Sequence, residues 1–165
     1  MRRTVLLTVL LLVAAMPVMA VAQGRTQTAP HVIAGVLQGT LTFVPFGTGL
    51  FDVNTLGVTS GTVKGLGMTN LFTFHQPTAE GTVENGRVFL VAADGDRING
   101  TYVGTTEPGP EPNLLIGRAE WVITGGTGRF AHASGTINAT AYVTFVSFEV
   151  FEWPAVWVVE GTIDY

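Results

Sequence analysis

Glycine sets the rhythm of this chain. The pair Gly-Thr recurs at 39–40, 47–48, 61–62, 81–82, 100–101, 104–105, 135–136 and 161–162, among short runs rich in Val, Thr, Ile and Phe. These runs alternate apolar with polar residues, the period of a half-buried strand. No apolar stripe of helical period lasts three turns, and the straight-chain helix formers Lys and Glu are scarce. The pattern predicts an all-β chain of about eight to ten strands, and closing them on one another is the simplest way to protect so many edges. The expectation is a closed antiparallel barrel of about eight strands over residues 32–165.

Two turns stand out. Asn85-Gly86 and Asp94-Gly95 each tolerate the positive φ of a type I′ turn, which predicts a three-stranded meander from about Thr78 to Gly104. Its middle run, "RVFLVAA", is apolar on both faces (Val88, Leu90 and Ala92 against Phe89, Val91 and Ala93), so cover on both sides is expected. The proline-rich segment 105–113 reads as an exposed loop. In "LLIGRAEWVIT", Leu115, Gly117, Ala119, Trp121 and Ile123 share one face, and Ile116, Arg118, Glu120, Val122 and Thr124 the other. A long run from about Thr136 to Phe151 follows, either one bent strand or two. Trp153-Pro154 is expected to interrupt pairing before a last strand.

The N-terminus reads as a secretory leader over residues 1–22. Arg2 and Arg3 precede an apolar stretch, and Ala20-Val21-Ala22 matches a small-x-small cleavage site. Residues 23–31 are polar and aperiodic, a flexible lead. The expected location is outside the cytoplasm, secreted or periplasmic, with no membrane association after cleavage. Removing the leader takes two of the eight basic residues and none of the twelve acidic ones, which leaves a formal charge of −6. That charge, with Lys64 the sole lysine, excludes a nucleic-acid footprint. The absence of cysteine excludes disulfides, thiolate nucleophiles and Cys-based metal sites.

One motif raises a cofactor question. Gly126-Thr-Gly128-Arg-Phe-Ala131 satisfies G-x-G-x-x-G/A, and a strand-like run precedes it. A dinucleotide turn also requires a helix next, and here "SGTINATAYVTFV" is β-branched and alternating. The chain that remains is too short for a doubly wound domain, so no cofactor is expected. The motif reads as a tight turn, with Gly125, Gly126 and Gly128 taking conformations closed to other residues and Phe130 anchoring in the core.

The run "ITGGTGRFAHASGTI", with the hairpin "AADGDRINGTYVGT" about twenty-five residues before it, resembles the allene oxide cyclase–dirigent barrel superfamily, in particular its secreted bacterial members. The resemblance spans about Gly81 to Thr140. It implies an eight-stranded antiparallel barrel with a partly apolar interior, often assembled into dimers or trimers. The matching motif is a scaffold element of that family, and none of the acidic and polar residues its enzymes use aligns onto this chain. Chemistry therefore does not transfer with the fold.

Few residues invite chemistry. His31, His75 and His132 are far apart without ligand spacing, and Asp94 and Asp96 lack the further oxygen ligands of a calcium loop, so no metal site is expected. No G-x-S-x-G nucleophile elbow occurs. Glu120, Glu149, Glu152 and Glu160 lie among apolar residues and are read as facing water, with Glu120 beside Trp121 the first to check as an acid or base. Phe148 and Phe151 are read as an exposed patch. Tyr102, Arg118, Glu120, Trp121 and Tyr142 are the candidate ligand-binding residues. The leading expectation is a non-enzymatic exported barrel that binds a small apolar ligand or self-associates as a homo-oligomer. The alternatives are an isomerase or cyclase acting on an apolar substrate within the barrel, and a structural surface protein.

Overall fold

The computed structural model of the protein describes residues 29–49, 51–147 and 149–165. The leader expected over 1–22, most of the expected lead and Phe148 lie outside the described residues. Eight strands follow in chain order: β1 (His31–Pro45), β2 (Val53–Lys64), β3 (Gly67–Pro77), β4 (Thr82–Val91), β5 (Arg97–Pro108), β6 (Leu114–Gly126), β7 (Ser134–Thr144) and β8 (Glu152–Asp164). Each pairs antiparallel with its sequence neighbours, and β8 returns to β1, so the sheet is a closed barrel without a free edge. The expected fold class is the observed one.

Alternation does the sorting. On β1, Ile33, Leu37 and Leu41 point inward while Val32 and Val36 face out; on β6 the inward set is the one that carries Trp121 and Ile123. His31, placed by its polar neighbours in the lead, instead opens β1 and stacks on Tyr165 at 4.2 Å between ring centroids.

Four local expectations are corrected. Asn85-Gly86 is not a hairpin turn but a bulge inside β4, with Asn85 at φ 53° and register shifts against both neighbours. A bulge and a tight turn need the same positive φ, so the dipeptide alone does not distinguish them. The β3–β4 turn falls at Thr78–Gly81, where the Gly81 amide donates to the Thr78 carbonyl at 3.1 Å. The meander is therefore one hairpin, turned at Asp94-Gly95, and β4 is covered on one face only: Val88 and Leu90 are buried, Phe89 and Val91 half-buried on the outer wall.

The loop expected over 105–113 shrinks because β5 runs on to Pro108, paired with Leu115. The run expected as one bent strand or two over about Thr136–Phe151 holds only β7, which ends at Thr144, and residues 145–151 connect it to β8. Pro154 does not interrupt β8. It lies opposite Thr40 of β1, beyond the last β7 pair at Val143–Ala155, where it has a neighbour on one side alone.

The glycine turn closes one end of the barrel. A single 3₁₀ turn (Gly128–Phe130) carries Phe130 into the interior, fully buried and edge-on to Tyr165 at 4.6 Å. The turn docks on the β4–β5 hairpin: the Thr127 amide donates to the Arg97 carbonyl at 2.7 Å, and the Arg97 amide to the Thr127 hydroxyl at 2.9 Å. The Arg129 amide reaches the Asp96 carboxylate at 3.0 Å, and its guanidinium the Asp94 carboxylate at 3.3 Å. Gly128 has φ 53°, and a Cβ there would overlap the Asp96 carboxylate, so both conformation and space require glycine. No dinucleotide fold surrounds the motif, since β7 follows it.

Candidate ligand cavity at the open end

The opposite end is open. It is ringed by the β1–β2, β3–β4, β5–β6 and β7–β8 connections and leads into a cavity of about 630 Å³. The cavity exists because inward positions in this half are small: Gly104, Gly117, Ala119 and Ala141 line one side. Its remaining wall is largely aromatic and aliphatic, with Leu41, Phe43, Phe145, Phe151 and Trp153 near the mouth. Phe43 and Phe145 pack on Trp153 at 4.2 and 4.9 Å between centroids. The Trp153 indole N–H is tied to the Val150 carbonyl at 2.8 Å, which fixes the β7–β8 connection over the rim.

The polar residues of the lining include Thr78, Thr82, Thr105 and Thr106 toward the mouth and Thr55, His75 and Tyr102 deeper in. His75 on β3 and Tyr102 on β5 meet across β4, with the imidazole Nδ1 2.8 Å from the phenol oxygen. Two side chains on next-nearest strands can meet because the strand between them presents Gly86 inward. A Cβ there would strike the Tyr102 ring, so the Asn85-Gly86 bulge makes the space that Tyr102 fills. The bulge is pinned outside, where Asn85 donates to Gln76 at 2.7 Å and Gln76 to Asn54 at 3.1 Å.

Burial pushes the His75 imidazole down to about 4. It pushes the Tyr102 phenol well above its ordinary value, opposed in part by the neighbouring Thr73 hydroxyl. Both are uncharged at neutral pH. Tyr102 packs on Trp121 at 6.3 Å and Trp121 on Trp157 at 5.7 Å between centroids. The indole N–H groups of Trp121 and Trp157 and the hydroxyls of Thr55 and Thr59 are buried and have no hydrogen-bond partner among the described residues.

The five candidate residues divide. Tyr102 and Trp121 point into the barrel. Arg118, Glu120 and Tyr142 are on the outer wall: Arg118 pairs there with Glu107, Glu120 is exposed, and Tyr142 is 41% exposed. The first to check as an acid or base, Glu120, therefore faces solvent, as do Glu149, Glu152 and Glu160. Phe151 is half exposed at the rim. Among the described residues no three His, Asp or Glu side chains converge as metal ligands. Sequence reasoning passed over His75, Thr55 and Trp157. The signal was present for His75, since Leu71, Thr73 and His75 share the inward face of β3, but the following Gln76-Pro77 reads as a turn.

Compared with known proteins, the chain matches no family model, no curated protein and no solved structure.

Proposed function

We propose that the protein is an exported binding barrel that holds a small apolar molecule in its open end. The observation that carries this reading is the cavity of about 630 Å³, largely apolar in its lining and open to solvent, within the size range of small-molecule sites. Binding accounts for the cavity better than catalysis does. No Asp, Glu or Lys lines the cavity, and the His75 imidazole and Tyr102 hydroxyl are already hydrogen-bonded to each other. Titration of the purified protein with the neutral dye Nile red tests the reading, with a saturable rise in emission expected. A flat titration would remove it.

Self-association is supported by a separate feature. The outer wall across β8, β1, β2 and β3 exposes Val158, Val36, Val58, Phe72 and Met68, and the register sets Val36 against Val158 and Val58 against Phe72. The outward positions of β1–β3 carry no carboxylate. An apolar wall of this kind suits a second copy of the chain. Sedimentation velocity checks it, and a monomer at every concentration would sink it. Kinship with the allene oxide cyclase–dirigent barrels is likewise proposed, supported by the docking of the two segments that carry the resemblance, Asp94–Asp96 against Thr127–Phe130.

A further inference from the structure

We infer that the cavity takes an apolar molecule bearing a cationic, ammonium-type group, with the hydrocarbon part inside and the charged group held at the mouth. This rests on the binding reading above and narrows it to a chemical class.

Charge is sorted along the barrel. The four connections around the mouth, residues 46–52, 78–81, 109–113 and 145–151, carry one carboxylate each (Asp52, Glu80, Glu111 and Glu149) and no Lys, Arg or His. Three carboxylates stand directly on the rim. Asp52 lies between Phe51 and Val53, Glu80 between Ala79 and Gly81, and Glu152 between Phe151 and Trp153, and all six of these neighbours line the cavity. The one cation bordering the cavity, Arg118, is turned to Glu107 on the outer wall. The plugged end is balanced differently: Asp94 pairs there with Arg129, and Lys64 and Arg97 stand at strand ends. The potential is therefore most negative over the entrance.

The rim is also aromatic. Phe51 and Phe151 line the cavity and are still 43% and 50% exposed, beside Trp153. Ring faces attract a cation and offer nothing to an anion. Ring and carboxylate occur side by side as Phe51-Asp52 and Phe151-Glu152, so two independent features favour the same charge. The charged group stops at the mouth, because no Asp or Glu lines the interior to offset its desolvation. The apolar wall beyond takes the hydrocarbon.

Displacement of Nile red from the full protein at neutral pH and low salt tests the inference, with ten-carbon ligands that differ in the head alone, kept below their micelle concentrations. Decyltrimethylammonium is expected to displace the dye at or below the concentration of decanol and at least about tenfold below decyl sulfate. Salt at about 0.5 M should shrink the gap between the two ions to about threefold or less. Glu80→Gln combined with Glu152→Gln should weaken the ammonium compound by about threefold and leave decanol unchanged. Decyl sulfate matching the ammonium compound, or a gap untouched by salt or by the double variant, would overturn the inference while the binding reading stood. Failure of Nile red to saturate would bring down the reading itself. Should the double variant misfold, the salt series on the unaltered protein still decides.

Discussion

The two halves of the barrel interior are built by the same strands and filled in opposite ways. Toward the plugged end the inward positions are Ile33, Leu71, Leu90, Ile98, Ile137 and Ile163, with Phe130 inserted from the glycine turn. Toward the mouth the same strands supply Gly104, Gly117, Ala119 and Ala141. The sheet is closed through both, and side-chain volume, with the bulge at Asn85-Gly86, separates a packed core from a cavity. Stability is expected to reside in the first half and binding in the second.

Phe130→Ala strikes hardest at that division. The ring is fully buried, so truncation should cost about 3–5 kcal/mol. For a domain of this size the melting midpoint should fall by on the order of 10 °C. Affinity for Nile red, measured below the new midpoint, should hold. A stable variant that loses the dye would mean the two halves are not separable.

The next effect belongs to the boundary between the halves and depends on pH. The folded protein holds His75 at about 4 against an ordinary 6.5, so between those values the unfolded chain takes the proton and the folded one does not. The contribution of neutral His75 is full above about pH 6.5 and is lost as pH falls toward about 4, by about 3 kcal/mol in total. Urea midpoints across that window should fall with pH more steeply in the native protein than in His75→Gln. Parallel slopes would show the imidazole to be freely solvated.

How much of this was legible in the sequence follows from what each residue needs from its neighbours. Phe130, Gly125 and Gly128 could be read because the requirement is local: positive φ and a large apolar residue within one turn. Gly126, expected to share it, has no positive φ and is required because a Cβ would strike the Arg97 carbonyl. The barrel could be read because alternation and turn spacing repeat along the whole chain. Tyr102 and Arg118 are different. Each lies on an alternating strand, and alternation gives two faces without saying which is inside. Trp121 and Tyr102 fell inside; Arg118, Glu120 and Tyr142 fell outside. The His75–Tyr102 contact was out of reach altogether, because it joins residues 27 apart across a third strand and depends on a bulge at Asn85-Gly86 that looks like a turn.

A smaller effect on stability, but a selective one, is expected at Ala141. This residue is buried on the small-residue side of the cavity, and a leucine there would extend into open space rather than into packed neighbours. Ala141→Leu should change the unfolding free energy by no more than about 1 kcal/mol. Nile red affinity should fall by about tenfold or more as volume is lost. Thermal melts and dye titration on one preparation separate the two quantities, and unaltered dye affinity would place the binding site elsewhere.

The smallest effect is expected at Arg129, on the outside of the plug. Its guanidinium lies 4.6 Å from the Phe130 ring centroid and pairs with Asp94, and both partners of that pair are nearly half exposed. A pair so open to water is worth under about 1 kcal/mol, and the stacking adds a comparable amount. The contact that seats the turn on the hairpin is made by the Arg129 backbone amide to Asp96, which truncating the side chain leaves in place. Arg129→Ala should therefore cost about 1 kcal/mol, with the ion-pair part fading at high salt. Asp96→Ala, which removes the acceptor of that amide, should cost more and keep its cost in salt. If the two variants lose equal stability, and salt erases both losses, the plug is held by surface charge rather than by the docked backbone.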